Sequence, residues 1–197
     1  MNLSKSGEIE HGTIPEIHKG YGAVAILTYR GKVLLTSLDP EDLGKEELYE
    51  GKWVALNEKM FGFVGGAIDD AEGNPLTTLS SIDINVICTT LSLELLQEIG
   101  ASITPEEILA RISGGKSILP GIIDVPQRIS NGNTSRKNGE YHFQGIGVLI
   151  EITDAELQAI QAHVSSNGRS IIMFDKNQPI QQLKPSARRV LELLNSN

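Results

Sequence analysis

Cysteine is nearly absent: Cys88 is the only one among 197 residues. No internal disulfide and no all-cysteine metal cage can form, which fits a reducing compartment. Long apolar runs are missing as well. No stretch reaches the roughly 18 consecutive apolar residues of a membrane-spanning helix, and residues 1–20 lack the continuous apolar core of a signal peptide. A cytoplasmic protein with no membrane partner is expected. The chain also lacks an excess of positive charge, its formal net charge being -8. Attraction to phosphate backbones and anionic bilayers needs clustered Lys and Arg, so nucleic acid is disfavoured as a partner. An anionic small molecule can still bind, provided that metal ions screen its charge.

What is present is an ordinary globular balance, 40% hydrophobic and 21% charged. The length suits a single domain, residues 1–197 with a polar lead over 1–20; a monomer and a homodimer are both left open. "YGAVAILTYRGKVLLTSL" predicts two strands, Tyr21–Tyr29 and Lys32–Ser37, around an Arg30-Gly31 turn. Residues 39–59 are charged and turn-rich and read as a long loop with a helical turn near Glu46–Glu50. Phe61–Ile68 reads as a short strand broken at Gly65-Gly66. Ser80 with Asp83 three residues on has the form of a capping box, opening a helix that runs to Ile99 and stops at Gly100. Thr104-Pro105-Glu106-Glu107 opens a second helix with proline at its first position. Extended chain ("KSILPGIIDVPQRI"), a polar loop ("SNGNTSRKNGE") and a buried strand ("YHFQGIGVLIEI") come next. Helix Asp154–Val164, strand Ser170–Phe174 and an amphipathic helix Pro185–Leu194 complete the chain.

Chemistry concentrates in two places. On the helix ending at Ile99, Glu94 and Glu98 stand about 40° apart on the wheel, with Gln97 beside them and apolar residues over most of the remaining circumference. Such a helix is expected to be covered on both sides, which would crowd two carboxylates into a partly desolvated groove where a proton or cation must intervene. Taken alone, the strip is more commonly just a solvated face. The second place is "GFVGGAIDDAEG". Its glycine pair lets backbone approach another element or a ligand closely, although a tight turn is the commoner use. Asp69, Asp70 and Glu72 follow at once. Carbonyl and carboxylate oxygens converging there would suit Mg²⁺ or Mn²⁺.

These residues resemble the box of the Nudix hydrolase family, G-x5-E-x7-R-E-U-x-E-E-x-G-U with U aliphatic. Gly66 and Glu72 match its first half; Glu94-Leu95-Leu96-Gln97-Glu98-Ile99-Gly100-Ala101 resembles its second. The hairpin upstream, the "FGFVGG" approach and the "IIMFDKNQPIQQLKPSARRVLELL" ending also look like the family, so the likeness spans the chain from about Tyr21. The resemblance implies an α/β fold, an α/β/α sandwich with a mixed, partly antiparallel sheet. It implies cleavage of the pyrophosphate linkage in a nucleoside diphosphate joined to another moiety, by metal-assisted attack of water. Carried over residue by residue, Glu94 and Glu98 would hold Mg²⁺ or Mn²⁺, with Gln97 as a weaker ligand and the Gly66 carbonyl region completing the site. Glu72 would orient or assist from the loop. A further glutamate from a later loop would be Glu140, with Glu151 as the fallback.

The sequence departs from the box at three points. The stretch between Glu72 and Glu94 is 13 residues longer than in the family, Leu93 stands where the family has Arg, and Gln97 replaces a glutamate. An amide offers an oxygen without the charge that strengthens divalent binding. A degenerate Nudix-like domain that binds a nucleotide or a protein with little turnover is therefore the second expectation. Trp53, Tyr49 and Phe61 could stack on a base, but large aromatics are more often core. Lys52, Lys59, Arg128 and His142 could meet phosphate, with solvent exposure the commoner fate; Arg188 and Arg189 read as a solvated face, and Cys88 as core.

Overall fold

Two turn dipeptides set the first half of the fold. Arg30 and Gly31 both have positive φ (48° and 75°), and so do Glu50 and Gly51 (49° and 76°). Two consecutive left-handed residues make the turn whose twist matches that of a β-hairpin. In the computed structural model, which describes residues 17–69, 76, 83–112, 118–129, 139–175 and 180–195, each turn joins two strands. The first joins β1 (Ile17–Tyr29) to β2 (Lys32–Ser37), as expected; the second joins β3 (Lys45–Tyr49) to β4 (Lys52–Ala55).

The second hairpin corrects the reading of residues 39–59 as a loop with a helical turn. Only a 3₁₀ turn at Pro40–Asp42 precedes it. The strand was hidden because its alternation is inverted: in "KEELY" the buried residue is Glu47, not Leu48. A glutamate faces the interior there because distant partners satisfy it, and no local period reports that.

The glycine pair is also placed differently. The break falls at Phe63, between β5 (Phe61–Gly62) and β6 (Val64–Ala67), and β6 runs straight through Gly65-Gly66. It pairs antiparallel with β1, Val24 opposite Gly65 and Ala23 opposite Gly66. The pairing is so close that a Cβ on Gly65 would overlap the Ala23 carbonyl oxygen. The glycines thus serve close approach, not a turn.

Helix α1 (Ile84–Ile99) starts later than the capping-box reading had it. Asp83 is itself the cap, accepting from the Asn85 and Val86 amides at 2.7 and 3.0 Å; Ser80 lies outside the described residues. Gly100 ends the helix in the left-handed conformation (φ 67°), as expected. Reciprocal Thr104–Glu107 bonds open α2 (Pro105–Ile112). Strands β7 (Ile118–Ile129) and β8 (Gly139–Glu151) follow, then α3 (Asp154–Ser166) behind a Thr153–Glu156 capping box, β9 (Ile171–Phe174) and α4 (Pro185–Asn195).

These strands form one nine-stranded mixed sheet in the order β4-β3-β7-β8-β1-β2-β5, with β6 also on β1 and β9 also on β2. The β1–β8 pair is parallel and the other strand pairs are antiparallel. Strand β1 shows how the faces are divided, since successive side chains point opposite ways. Ala23, Ala25 and Leu27 join Leu91, Leu95 and Ile99 of α1, Ile108 of α2 and Ile160 of α3 in one core cluster. Val24 and Ile26 join Val190 of α4 in another. The chain is a mixed α/β protein with helices against both faces of its sheet. No helix among the described residues is long and apolar enough to cross a membrane.

Candidate active site

Helix α1 presents its two carboxylates to β6. Ile87, Cys88, Leu91, Leu95 and Ile99 are buried beneath it, which rotates Glu94 and Glu98, one turn apart, toward the glycine pair. Cys88 is core, as read from the sequence. The helix is not covered on both sides: Leu93 and Leu96 are 52% and 51% exposed, because the elements packed beside α1 leave its outer face to solvent. Glu94 fits because position 66 has no side chain. A Cβ there would overlap the Glu94 carboxylate. Glu98 Oε1 accepts a hydrogen bond from the Gly65 amide at 3.3 Å. A Cβ on Gly22 of β1 would sit only 3.0 Å from the Gly66 carbonyl oxygen, so the two strands approach closely there as well.

Burial pushes both carboxyls toward the protonated form. Glu98 is raised to about 7, by desolvation first and the adjacent Glu94 second, against the opposing pull of the Gly65 amide, Arg169 and Lys184. Glu94 is raised by burial and by Asp69, and its hydrogen bond with Glu98 opposes that rise. Two carboxyls that share a hydrogen bond in a partly buried place are a pair that a proton or a cation must stabilise.

They stand in the wall of a cleft of about 530 Å³. Among the described residues seven carboxylates line it, against the ammonium groups of Lys45 and Lys184. Its inner wall is apolar, with Phe63, Ile123, Val125, Phe143 and Val190. Part of the negative charge is already balanced. Lys184 Nζ lies 3.4 Å from Asp42 and 3.7 Å from Glu47. Burial disfavours charge on Asp42, yet Lys184 and Lys45 outweigh it and hold that carboxyl at about 2. For Lys184, too, burial is outweighed, here by Asp42, Glu47 and Glu98, and its affinity for its proton is raised. Glu47, 1% exposed, accepts from the Ser186 amide and hydroxyl at 2.7 and 3.2 Å and from Gln127 at 3.2 Å. It thereby places a negative charge at the N-terminus of α4, where the helix dipole favours one.

Of the residues singled out from the sequence, Gly66, Glu94, Gln97 and Glu98 all line this cleft. Gln97 is exposed at its rim. Glu72 and Asp70 lie outside the described residues. Glu140 is not brought to the cleft: it pairs with Arg128 at 2.8 Å. Along β8 it stands three residues from the cleft-lining Phe143, roughly 10 Å of extended chain. Glu151 is exposed, six residues beyond the cleft-lining Gly145 on the same strand. Phe63 and Phe143, not Trp53, Tyr49 or Phe61, are the aromatics of the cleft. The Arg128 guanidinium covers the Trp53 ring at 4.2 Å, and the Tyr49 hydroxyl donates to Glu192 at 2.7 Å.

Arg188 and Arg189 correct the reading of a solvated face. Arg188 donates to the Leu183 carbonyl at 3.0 Å, and Arg189 to the carbonyls of Asp124 and Leu48, tying α4 to the sheet. Sequence reasoning also missed Glu47, Lys184 and Arg169. Only Lys184 carried a local signal, standing just before Pro185 at the first position of a helix.

The donor set suits a hard divalent cation of Mg²⁺ type. Among the described residues no three His, Cys, Asp or Glu side chains form a metal-holding group. Mg²⁺ characteristically uses one or two carboxylates, its own waters and substrate phosphate oxygens, a role that Glu94 and Glu98 could fill. No protein-family model matches this chain, and no curated protein sequence matches it significantly.

Proposed function

We propose that this chain is a Mg²⁺- or Mn²⁺-dependent hydrolase of the Nudix type. In this reading it cleaves the pyrophosphate linkage of a nucleoside diphosphate joined to another moiety, and its fold is the α/β/α sandwich of that family. The observation that carries the reading is the Glu94–Glu98 pair, packed against side-chain-free backbone at Gly65-Gly66 in the wall of an acidic cleft.

The cleft divides the work. Its apolar wall around Phe63 and Phe143 offers a surface on which a nucleobase can stack. Its carboxylate wall would repel a pyrophosphate unless a cation were held between them. A divalent cation bound by Glu94 and Glu98, with Gln97 contributing an amide oxygen, would screen the phosphates and polarise phosphorus toward attack. Burial and the adjacent Glu94 raise the metal-free Glu98 carboxyl to about 7; a bound divalent cation would lower it again and keep the carboxylate ionised for coordination. By the family resemblance, Glu72 would align the attacking water. Water adds to one phosphorus, the bridging oxygen leaves with the other phosphate, and the proton passes to a carboxylate.

A panel assay tests this. Wild-type protein should release two phosphorylated products from at least one of ADP-ribose, a dinucleoside polyphosphate, an NTP or a nucleotide sugar, only with Mg²⁺ or Mn²⁺ present. Glu98→Gln should abolish that turnover with the fold intact. The second reading, a Nudix-like domain that binds a nucleotide or a protein without turnover, is favoured by the exposed Leu93 in place of an arginine and by the neutral Gln97. Nucleotide binding with no product from any member of the panel would select it.

A further inference from the structure

Arg169 is the cation beside Glu98 that the proposed reaction does not use. It follows α3 directly after Gly168, whose positive φ of 68° turns the chain into β9. Its side chain is only 11% exposed and reaches across to the C-terminal end of α1. Nη1 donates to the backbone carbonyl of Glu98 at 3.0 Å. Nη2 donates to the Ser37 carbonyl at 2.7 Å and lies 3.4 Å from the Thr36 hydroxyl. Those bonds clamp the guanidinium between the end of β2 and the last turn of α1.

So held, it stands 3.6 Å from Glu98 Oε2 and 3.6 Å from Asp39 Oδ2. Glu98 is therefore restrained on both oxygens, Oε1 by the Gly65 amide at 3.3 Å and Oε2 by Arg169. Both separations exceed the ~2.7–2.9 Å of a tight charge-assisted bond. They orient the carboxylate and leave its lone pairs for a ligand. Arg169 does not line the cleft, whereas Glu98 and Asp39 do, so it acts on a ligand through those carboxylates. Lys184, the other buried cation nearby, is committed to Asp42 and Glu47.

We propose that Arg169 is a positioning residue for the cation site, locking the Glu98 carboxylate in one orientation against Gly65. The inference rests on the reading of Glu94 and Glu98 as the ligands of a divalent cation. It makes a prediction opposite in sign to simple electrostatics. Removing a positive charge near a cation site should tighten cation binding if charge alone matters; losing an orienting partner should weaken it, typically tenfold to a hundredfold.

The test is Mn²⁺ affinity, followed by electron paramagnetic resonance, for wild type, Arg169→Lys and Arg169→Gln, with circular dichroism as the check on folding. Both variants should bind Mn²⁺ at least about tenfold more weakly than wild type, Lys because its point charge cannot reproduce the fork. Wild-type affinity in Arg169→Lys, or tighter binding in Arg169→Gln, would overturn the proposal. If both variants are unfolded, Thr36→Val decides: it removes one anchor of Nη2 without changing shape, and Mn²⁺ binding should weaken at least about twofold, unchanged affinity counting against the proposal. Failure of wild type itself to bind Mn²⁺ is a different result, one that removes the cation reading of Glu94 and Glu98 and this proposal with it.

Discussion

Replacing Glu98 with glutamine should make the metal-free protein more stable in mild alkali. The Glu98 carboxyl is raised from 4.5 to about 7 in the folded chain, a displacement worth about 3 kcal/mol between its two protonation states. The sign follows from linkage. A group whose folded value is raised contributes stability that is complete below its unfolded value and disappears as pH climbs through the folded one. Wild type in EDTA should therefore lose up to about 3 kcal/mol from this site between about pH 5 and about pH 8.5. Glu98→Gln carries no proton to lose and should escape that decline. Asp42, shifted the opposite way to about 2, titrates below this window and does not mask the effect. Urea unfolding of both proteins at the two pH values is the assay. Near pH 5 the curves should nearly coincide, and near pH 8.5 the variant should unfold at higher urea. Mg²⁺ added at the higher pH should restore wild type and leave the variant almost unmoved. A variant less stable than wild type at that pH would refute the reasoning, because it would mean that Arg169 and Lys184 already satisfy an ionised Glu98.

Three further outcomes are expected. Gly66→Ala should displace the Glu94 carboxylate, lowering stability by about 1–3 kcal/mol in thermal melts and weakening Mn²⁺ binding in the same preparation. Gln97→Glu should tighten Mn²⁺ binding, by about threefold because the position is exposed; calorimetry showing no change would detach Gln97 from the site. Glu47→Ala should cost about 3–5 kcal/mol in urea unfolding, since it strips Ser186, Gln127 and Lys184 of a shared buried acceptor.

Local chemistry made much of the chain readable in one dimension. Arg30-Gly31, Gly100, the Thr104-Pro105 start and the β-branched run of β8 each act within a few residues, so a dipeptide, a cap or a period of two suffices to reveal them. The helical spacing of Glu94 and Glu98 also brought two carboxylates to one face without reference to the rest of the molecule, and Gly66 stood out by composition. Tertiary structure decided what those features meet. It turned Gly65-Gly66 into strand paired with β1, brought Glu47 inside because Ser186 and Gln127 await it, placed Glu140 on Arg128, and set Arg169 against Glu98. Each of those contacts joins residues far apart in the chain, and a buried charge is tolerated only where such partners converge. Periodicity records which way a side chain faces along its own element; whether a charge waits there to receive it depends on how the whole sheet and its helices pack.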